Sequence, residues 1–209
     1  MGREYDQFCG LARAAEVLGE RWTLLILRDL SVGPARFTDL KSGLPGIAAT
    51  MLTARLRGLE EAGVVERSQE GKVGTYTLTA RGRAAFPALR ELSLWGASTM
   101  AEPRPAEVVT DRSLAAMLAT TRTSARVEPF VVEIRAAGAA AHATVSADGA
   151  DAAPGSADAP SLILSGPGLR AALAEPSATR RLVSEGHIEV EGSPELLVSF
   201  AAAFHAPLE

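Results

Sequence analysis

The side chains best suited to chemistry in this 209-residue sequence are small, hydroxylic and cationic rather than acidic or nucleophilic. Ala49, Thr50, Thr53, Ala54 and Arg57 recur at spacings that place them on one face of a helix, away from Leu52, Leu56 and Leu59. A guanidinium on such a face suits a phosphate, and a threonine can hydrogen-bond a base edge or pack its methyl on thymine. The bland alternative is an ordinary solvated helix surface. Arg36, Lys41 and Lys72 flank the face and are phosphate candidates, whereas Arg55 lies nearer the packed side and predicts an ion pair within the domain. Cys9, the lone cysteine, has two readings: a small buried apolar residue, or a thiol that responds to oxidants. His142, His187 and His205 lack metal-ligand spacing, and there is no phosphate loop, G-x-G-x-x-G run or nucleophile elbow. No enzyme, cofactor or metal is expected.

The elements that must position this face are legible on either side of it. The pattern over residues 10–18 predicts a short helix with Gly19 at its end. TLLILRDL, from Thr23, is apolar on every side and predicts the buried helix of the domain, ended by Gly33-Pro34. Residues 36–40 predict a helix of one to two turns anchored by Phe37 and Leu40. Leu44-Pro45-Gly46-Ile47 is the turn, and a second helix runs over 48–62 with Gly63 at its C-cap. Residues 64–67 and 75–78 are rich in β-branched and aromatic residues around SQEGKVG, so they predict a hairpin with Lys72 near its tip. Two helices, a tight link and a hairpin constitute a winged helix-turn-helix, whose second helix is shaped for a DNA major groove. Thr79 predicts the cap of a further helix over 80–100, with Phe86, Leu89, Leu92 and Trp95 in a stripe and a kink or late start at Pro87. A stripe of that length needs a partner, and a second copy of the chain is expected.

Composition sets the outer limits. The length suits two domains, expected at 1–101 and 107–209 around the proline-containing segment 101–105. The net charge of -4 hides opposite halves: residues 1–100 carry 13 Lys+Arg against 11 Asp+Glu, and residues 101–209 carry 8 against 14. Only the first half suits a polyanion, through local placement of charge rather than a large excess. One cysteine precludes an internal disulfide framework, no apolar run approaches a bilayer span, and the N-terminus lacks a signal-peptide core. A cytoplasmic protein without a membrane partner is expected.

Taken motif by motif, residues 8–96 resemble the HxlR-type winged-helix regulators, relatives of the MarR group. The resemblance is carried by Cys9 ahead of a short helix, Leu18 to Thr23, Gly33 with Arg36-Phe37, Leu40, Leu44 to Ile47, Met51 to Thr53, Arg55-Leu56, Leu59-Glu60, Gly63, Arg67, Tyr76 to Thr79, Gly82 and Trp95. It implies a homodimer that binds double-stranded DNA and regulates transcription, with the second helix in the major groove and the hairpin over the backbone. Some relatives use the matching cysteine to detect oxidants. The chain departs from the family pattern at Gly10, usually proline; at Ala48, often serine; and in its short hairpin turn.

The second half reads as an α/β domain. A helix follows Asp111, read as its cap, and strands are predicted at 130–134, 142–146, 161–164 and 187–191, with helices over 168–173 and 194–204. This order, with the phrase EGHIEVEGS, resembles the sterol-carrier-protein-like fold, making the whole an α+β chain. The resemblance implies an apolar tunnel between helices and sheet. Phe130, Val132, Ile134, Leu162, Leu164 and Leu169 are expected to line it, with Leu173, Leu182, Ile188, Val190, Phe200 and Phe204; all could equally be plain core. The expected function is a dimeric DNA-binding regulator modulated by an apolar small molecule. The alternative is a carrier or interaction scaffold that does not bind DNA.

Overall fold

In a computed structural model, which describes residues 4–68, 74–100, 104–147 and 149–207, contacts divide the chain into two units, Met1–Leu89 and Arg90–Glu209. The first begins with α1 (Gly10–Leu18) and α2 (Thr23–Ser31). Gly19 follows α1 because a Cβ there would meet the Ala15 carbonyl oxygen at 2.6 Å. Helix α2 is one-sided rather than wholly buried: Ile26, Leu27 and Leu30 point inward with Asp29, which is paired to Arg28 at 2.6 Å, while Leu24 and Leu25 are exposed. An all-apolar string still has two faces, and this one shows Leu24 and Leu25 to solvent.

Strand β1 (Ala35–Arg36), which the sequence does not advertise, leads directly into α3 (Phe37–Gly43). The Asp39 carboxylate accepts the Arg36 N–H at 2.9 Å and so closes the first turn of α3. Gly46, at φ +86, makes the corner, and the plugs Leu44 and Ile47 are both buried. Helix α4 (Ala49–Glu61) buries Leu52, Leu56 and Leu59. It ends in a Schellman motif: Gly63, at φ +67, donates to the Glu60 carbonyl and Val64 to that of Leu59, each at 2.9 Å. The chain thereby turns straight into β2 (Val65–Ser68), which pairs antiparallel with β3 (Thr75–Leu78). Strand β1 adds to the other side of β3, so the sheet order is β1-β3-β2.

The Thr79 hydroxyl accepts the Gly82 N–H at 3.1 Å and caps α5 (Ala80–Ala84). Helix α6 (Phe86–Ala97) starts afresh after Ala85, so the single helix expected over 80–100 is two, consistent with a proline near the start of the second. The division between units falls within α6, upstream of the proline-containing segment where the boundary was expected. Its stripe splits: Leu89 enters the core shared by Ile26, Leu40, Leu52, Leu56 and Leu78, whereas Leu92 and Trp95 are exposed.

The second unit continues with α7 (Asp111–Thr121), β4 (Phe130–Ala136), β5 (Ala139–Val145), β6 (Ala150–Pro154), β7 (Leu162–Ser165), α8 (Leu169–Ala174), α9 (Thr179–Ser184), β8 (Glu189–Gly192) and α10 (Leu197–Ala203). Thr110, rather than the expected Asp111, caps α7 through a reciprocal bond with Ser113, and Asp111 instead accepts the Ala140 N–H at 2.9 Å. The sheet order is β6-β5-β4-β7-β8, with β4 and β7 parallel and every other pair antiparallel. Val132, Ile134, Leu162, Leu164, Ala141 and Ala143 share its buried face. Strand β6 and helix α9 lie in stretches where alanine and short runs of charge conceal the pattern. Among the described residues, no helix is long and apolar enough to cross a membrane.

Candidate nucleic-acid interface

Helix α4 is held by its leucines, and everything opposite them is open. Ala49, Thr50, Thr53, Ala54 and Arg57 are all exposed, as are Ala48 and Gly58. The Thr53 hydroxyl donates to the Ala49 carbonyl at 3.0 Å, a local bond that uses its proton and leaves the oxygen able to accept. Arg57 is engaged within the helix, its Nε donating to the Glu61 carboxylate at 2.9 Å with both side chains well exposed. Arg55 pairs with Glu20 at 3.1 Å, the intradomain ion pair its position predicts. Neither arginine of α4 is therefore without an acidic partner.

The remaining cations lie around the helix and hairpin. Arg36 is exposed on β1, whose register places it beside Thr75, and Lys41 is half-buried in the last turn of α3. Lys72 lies outside the described residues. Arg67, which the sequence reading included only in the family resemblance, stacks its guanidinium over the buried Tyr76 ring at 5.7 Å. Gly74 makes room for it, since a Cβ there would sit 2.8 Å from Arg67 Nε. Its signal in the sequence is its pairing position opposite an aromatic across a hairpin, visible only once the register is fixed. Glu61, the partner of Arg57, is readable in the sequence from its spacing of four along the helix.

Cys9 precedes α1 and is exposed, contrary to its reading as a small buried apolar residue: α1 buries only Ala12. Its thiol is held below the ordinary range by the N–H groups of Ala12 and then Leu11 at the helix start, although neither makes a full capping hydrogen bond. Among the described residues no group of His, Cys, Asp or Glu is arranged to hold a metal.

In the second unit, eleven of the twelve expected tunnel residues are buried core, and Val190 is half-buried. Phe200 and Phe204 pack on each other with centroids 5.3 Å apart. A shallow cleft of about 310 Å³ lies elsewhere, lined by Val131, His142, Thr144, Ser156, Ala157, Asp158 and Ala159. The register puts Val131 and Thr144 on the sheet face opposite Val132 and Ala143, so the cleft contains none of the twelve. Glu133, fully buried beside the cleft, fastens the segment over it: its carboxylate accepts from Ala157 N–H at 2.9 Å, Ser156 Oγ at 3.1 Å and Arg135 Nε at 2.6 Å. Burial pushes its pKa up, but these three donors outweigh that and hold the carboxyl below the usual carboxylate range.

Comparison with known proteins converges on the first unit. The HxlR-like helix-turn-helix family model matches residues 17–104. The HTH-type transcriptional regulator YodB of Bacillus subtilis is 39% identical over 93 residues, covering 43% of this chain and 82% of YodB. The chain belongs to the HxlR-like helix-turn-helix family. A regulator of Mycobacterium tuberculosis, Rv3095, is 43% identical over 98 residues, covering 46% of this chain but 60% of its own length, so the chain spans less than two thirds of that relative. Among solved structures, quinone-bound YodB from B. subtilis aligns with 37% identity over 41% of this chain and 93% of that one, with a TM-score of 0.38. The family match ends at residue 104, leaving the five-stranded sheet outside it.

Proposed function

We propose that this HxlR-family chain is a DNA-binding transcriptional regulator acting in the cytoplasm as a homodimer, with α4 in the major groove and the β2–β3 hairpin along the backbone. The observation that carries this reading is the exposed face of α4: small and hydroxylic, fixed from behind by three buried leucines and followed at once by the hairpin. Thr50 and Thr53 meet base edges or thymine methyls, and Arg57, Arg36, Lys41 and Lys72 meet phosphates. Two copies joined through exposed apolar residues such as Leu92 and Trp95 would present two α4 helices about one turn of DNA apart, roughly 34 Å, to a two-fold related site. The named functions of relatives such as YodB agree with this reading. Fluorescence anisotropy of the full chain on duplex DNA at stepped salt, with native mass spectrometry for subunit number, tests it; a monomer indifferent to DNA would sink it.

The order α7, β4 to β7, α8, α9, β8, α10 supports assigning the second unit to the sterol-carrier-protein-like fold, as a regulatory module. An apolar effector seated there could act only by binding one state of the regulator more tightly than the other. Cys9 supplies a second input, since an exposed thiol with a lowered pKa has a larger thiolate fraction at neutral pH. Mass spectrometry after mild peroxide, together with DNA affinity of Cys9→Ser, tests that role; an unmodified thiol and an oxidant response that survives in the variant would remove it.

A further inference from the structure

The arginines of α4 pose an electrostatic problem for a DNA-reading helix. Phosphate neutralisation by cations supplies most of a protein's sequence-independent affinity for DNA. Helix α4 nevertheless carries Arg55, Arg57, Glu60 and Glu61, no net charge, with Arg55 spoken for by Glu20 and Arg57 by Glu61. The second of these pairs lies wholly on the open face: on a 3.6-residue helix Glu61 is about 180° round from the buried Leu52, nine positions earlier.

Helix stability does not account for Glu61. A carboxylate in the last turn opposes the macrodipole, and α4 has no basic residue there to balance it. The pair also has the weaker orientation, with the basic residue N-terminal to the acidic one. Its exposure limits what it contributes to folding. A carboxylate unfavourable to its own helix, opposite the packed side and bonded to the most prominent cation of the reading face, has its effect outward.

We propose that Glu61 is a specificity-determining positioning residue: it occupies Arg57 and so suppresses attachment of α4 to arbitrary DNA. This rests on the DNA-binding reading above. A phosphate must compete with the Glu61 carboxylate for the charge and Nε of Arg57, and it does so readily only where the other contacts of a matched site hold α4 in place. Non-specific binding is thereby penalised more than specific binding, and selectivity arises from a repulsive element on a face otherwise poor in hydrogen-bonding groups.

The experiment compares wild type, Glu61→Gln, Arg57→Gln and the double variant on a random-sequence duplex of about three helical turns, across a salt series, with thermal unfolding recorded for each. Both substitutions lie on exposed side chains. Glu61→Gln is expected to bind the random duplex roughly three- to tenfold more tightly and to steepen the salt dependence by up to about 0.9 in log–log slope, with no loss of thermal stability. In the Arg57→Gln background the same change should have no effect, because Glu61 acts through Arg57. An unchanged affinity, a gain that persists without Arg57, or a drop in melting temperature that accounts for the change overturns the proposal. If the wild type itself shows no salt-dependent binding, the DNA-binding reading falls instead.

Discussion

The charged side chain proposed to act in the first unit and the best-satisfied buried carboxylate of the second sit in opposite environments. In the first, the residues proposed to act sit outside: Thr50, Thr53 and Arg57 line an exposed helix face, and the leucines behind them only hold it in position. In the second, the most constrained ionised group is inside: Glu133 is fully buried, satisfied by three donors, and used to fasten a segment across the sheet. A helix that must meet a partner keeps side chains that can be exchanged without harm to the fold. A carboxylate that must hold a segment cannot be exchanged, because leaving its partners unsatisfied in the interior costs more than an exposed ion pair contributes. The exposed face of α4 can thus be altered with little effect on the fold, whereas Glu133 cannot.

Substitutions can break or sharpen that contrast. The largest effect is expected at Phe200, fully buried and packed on Phe204: Phe200→Ala should cost about 3–5 kcal/mol, read by denaturant unfolding of the full chain. Leu56→Ala in the first unit should cost about 2–5 kcal/mol and abolish DNA binding by unseating α4, so loss of binding would there follow loss of fold. Glu133→Gln should cost about 1–3 kcal/mol as its partners at Arg135, Ala157 and Ser156 lose a charged acceptor. Because the folded-state pKa of Glu133 is depressed, its contribution is present above the ordinary carboxylate range and is lost as pH falls through the folded value. The variant should accordingly show a flatter decline in stability with acidification than the wild type. Thr79→Ala, which removes the cap of α5, should cost about 1 kcal/mol. Arg57→Gln should stay within about 0.5 kcal/mol of wild type in stability yet weaken binding to a matched DNA site severalfold, the clearest case of recognition without stability.

Much of the first unit was legible because each boundary carries a residue with one physical job. Gly63 permits the left-handed turn that ends α4, Thr79 caps α5, and the leucine spacing settles which side of α4 packs. Strand β1 was not legible: two residues carry no periodicity, and Ala35-Arg36 becomes a strand only because β3 has an edge to accept it. The apolar string of α2 predicted burial on every side, yet Leu24 and Leu25 are exposed while Asp29 is buried, since ion pairing can bring a carboxylate inside. In the second unit, strong strands such as β4 and β7 announce themselves through Phe130, Val132, Leu162 and Leu164, whereas the alanines of β6 do not. The candidate site was visible as a face but not as a charge distribution. The ion pair of Arg55 follows from its place near the packed side of α4 and that of Arg57 from a spacing of four to Glu61, whereas the seat of Arg67 on Tyr76 depends on the strand register.

The central claim, that the exposed face of α4 and its hairpin engage DNA, is most directly tested by titrating the full chain onto a duplex between about 50 and 200 mM salt and following anisotropy. The account predicts saturable binding whose logarithm falls linearly with the logarithm of salt concentration. Binding that is absent, or that does not change with salt, would contradict it.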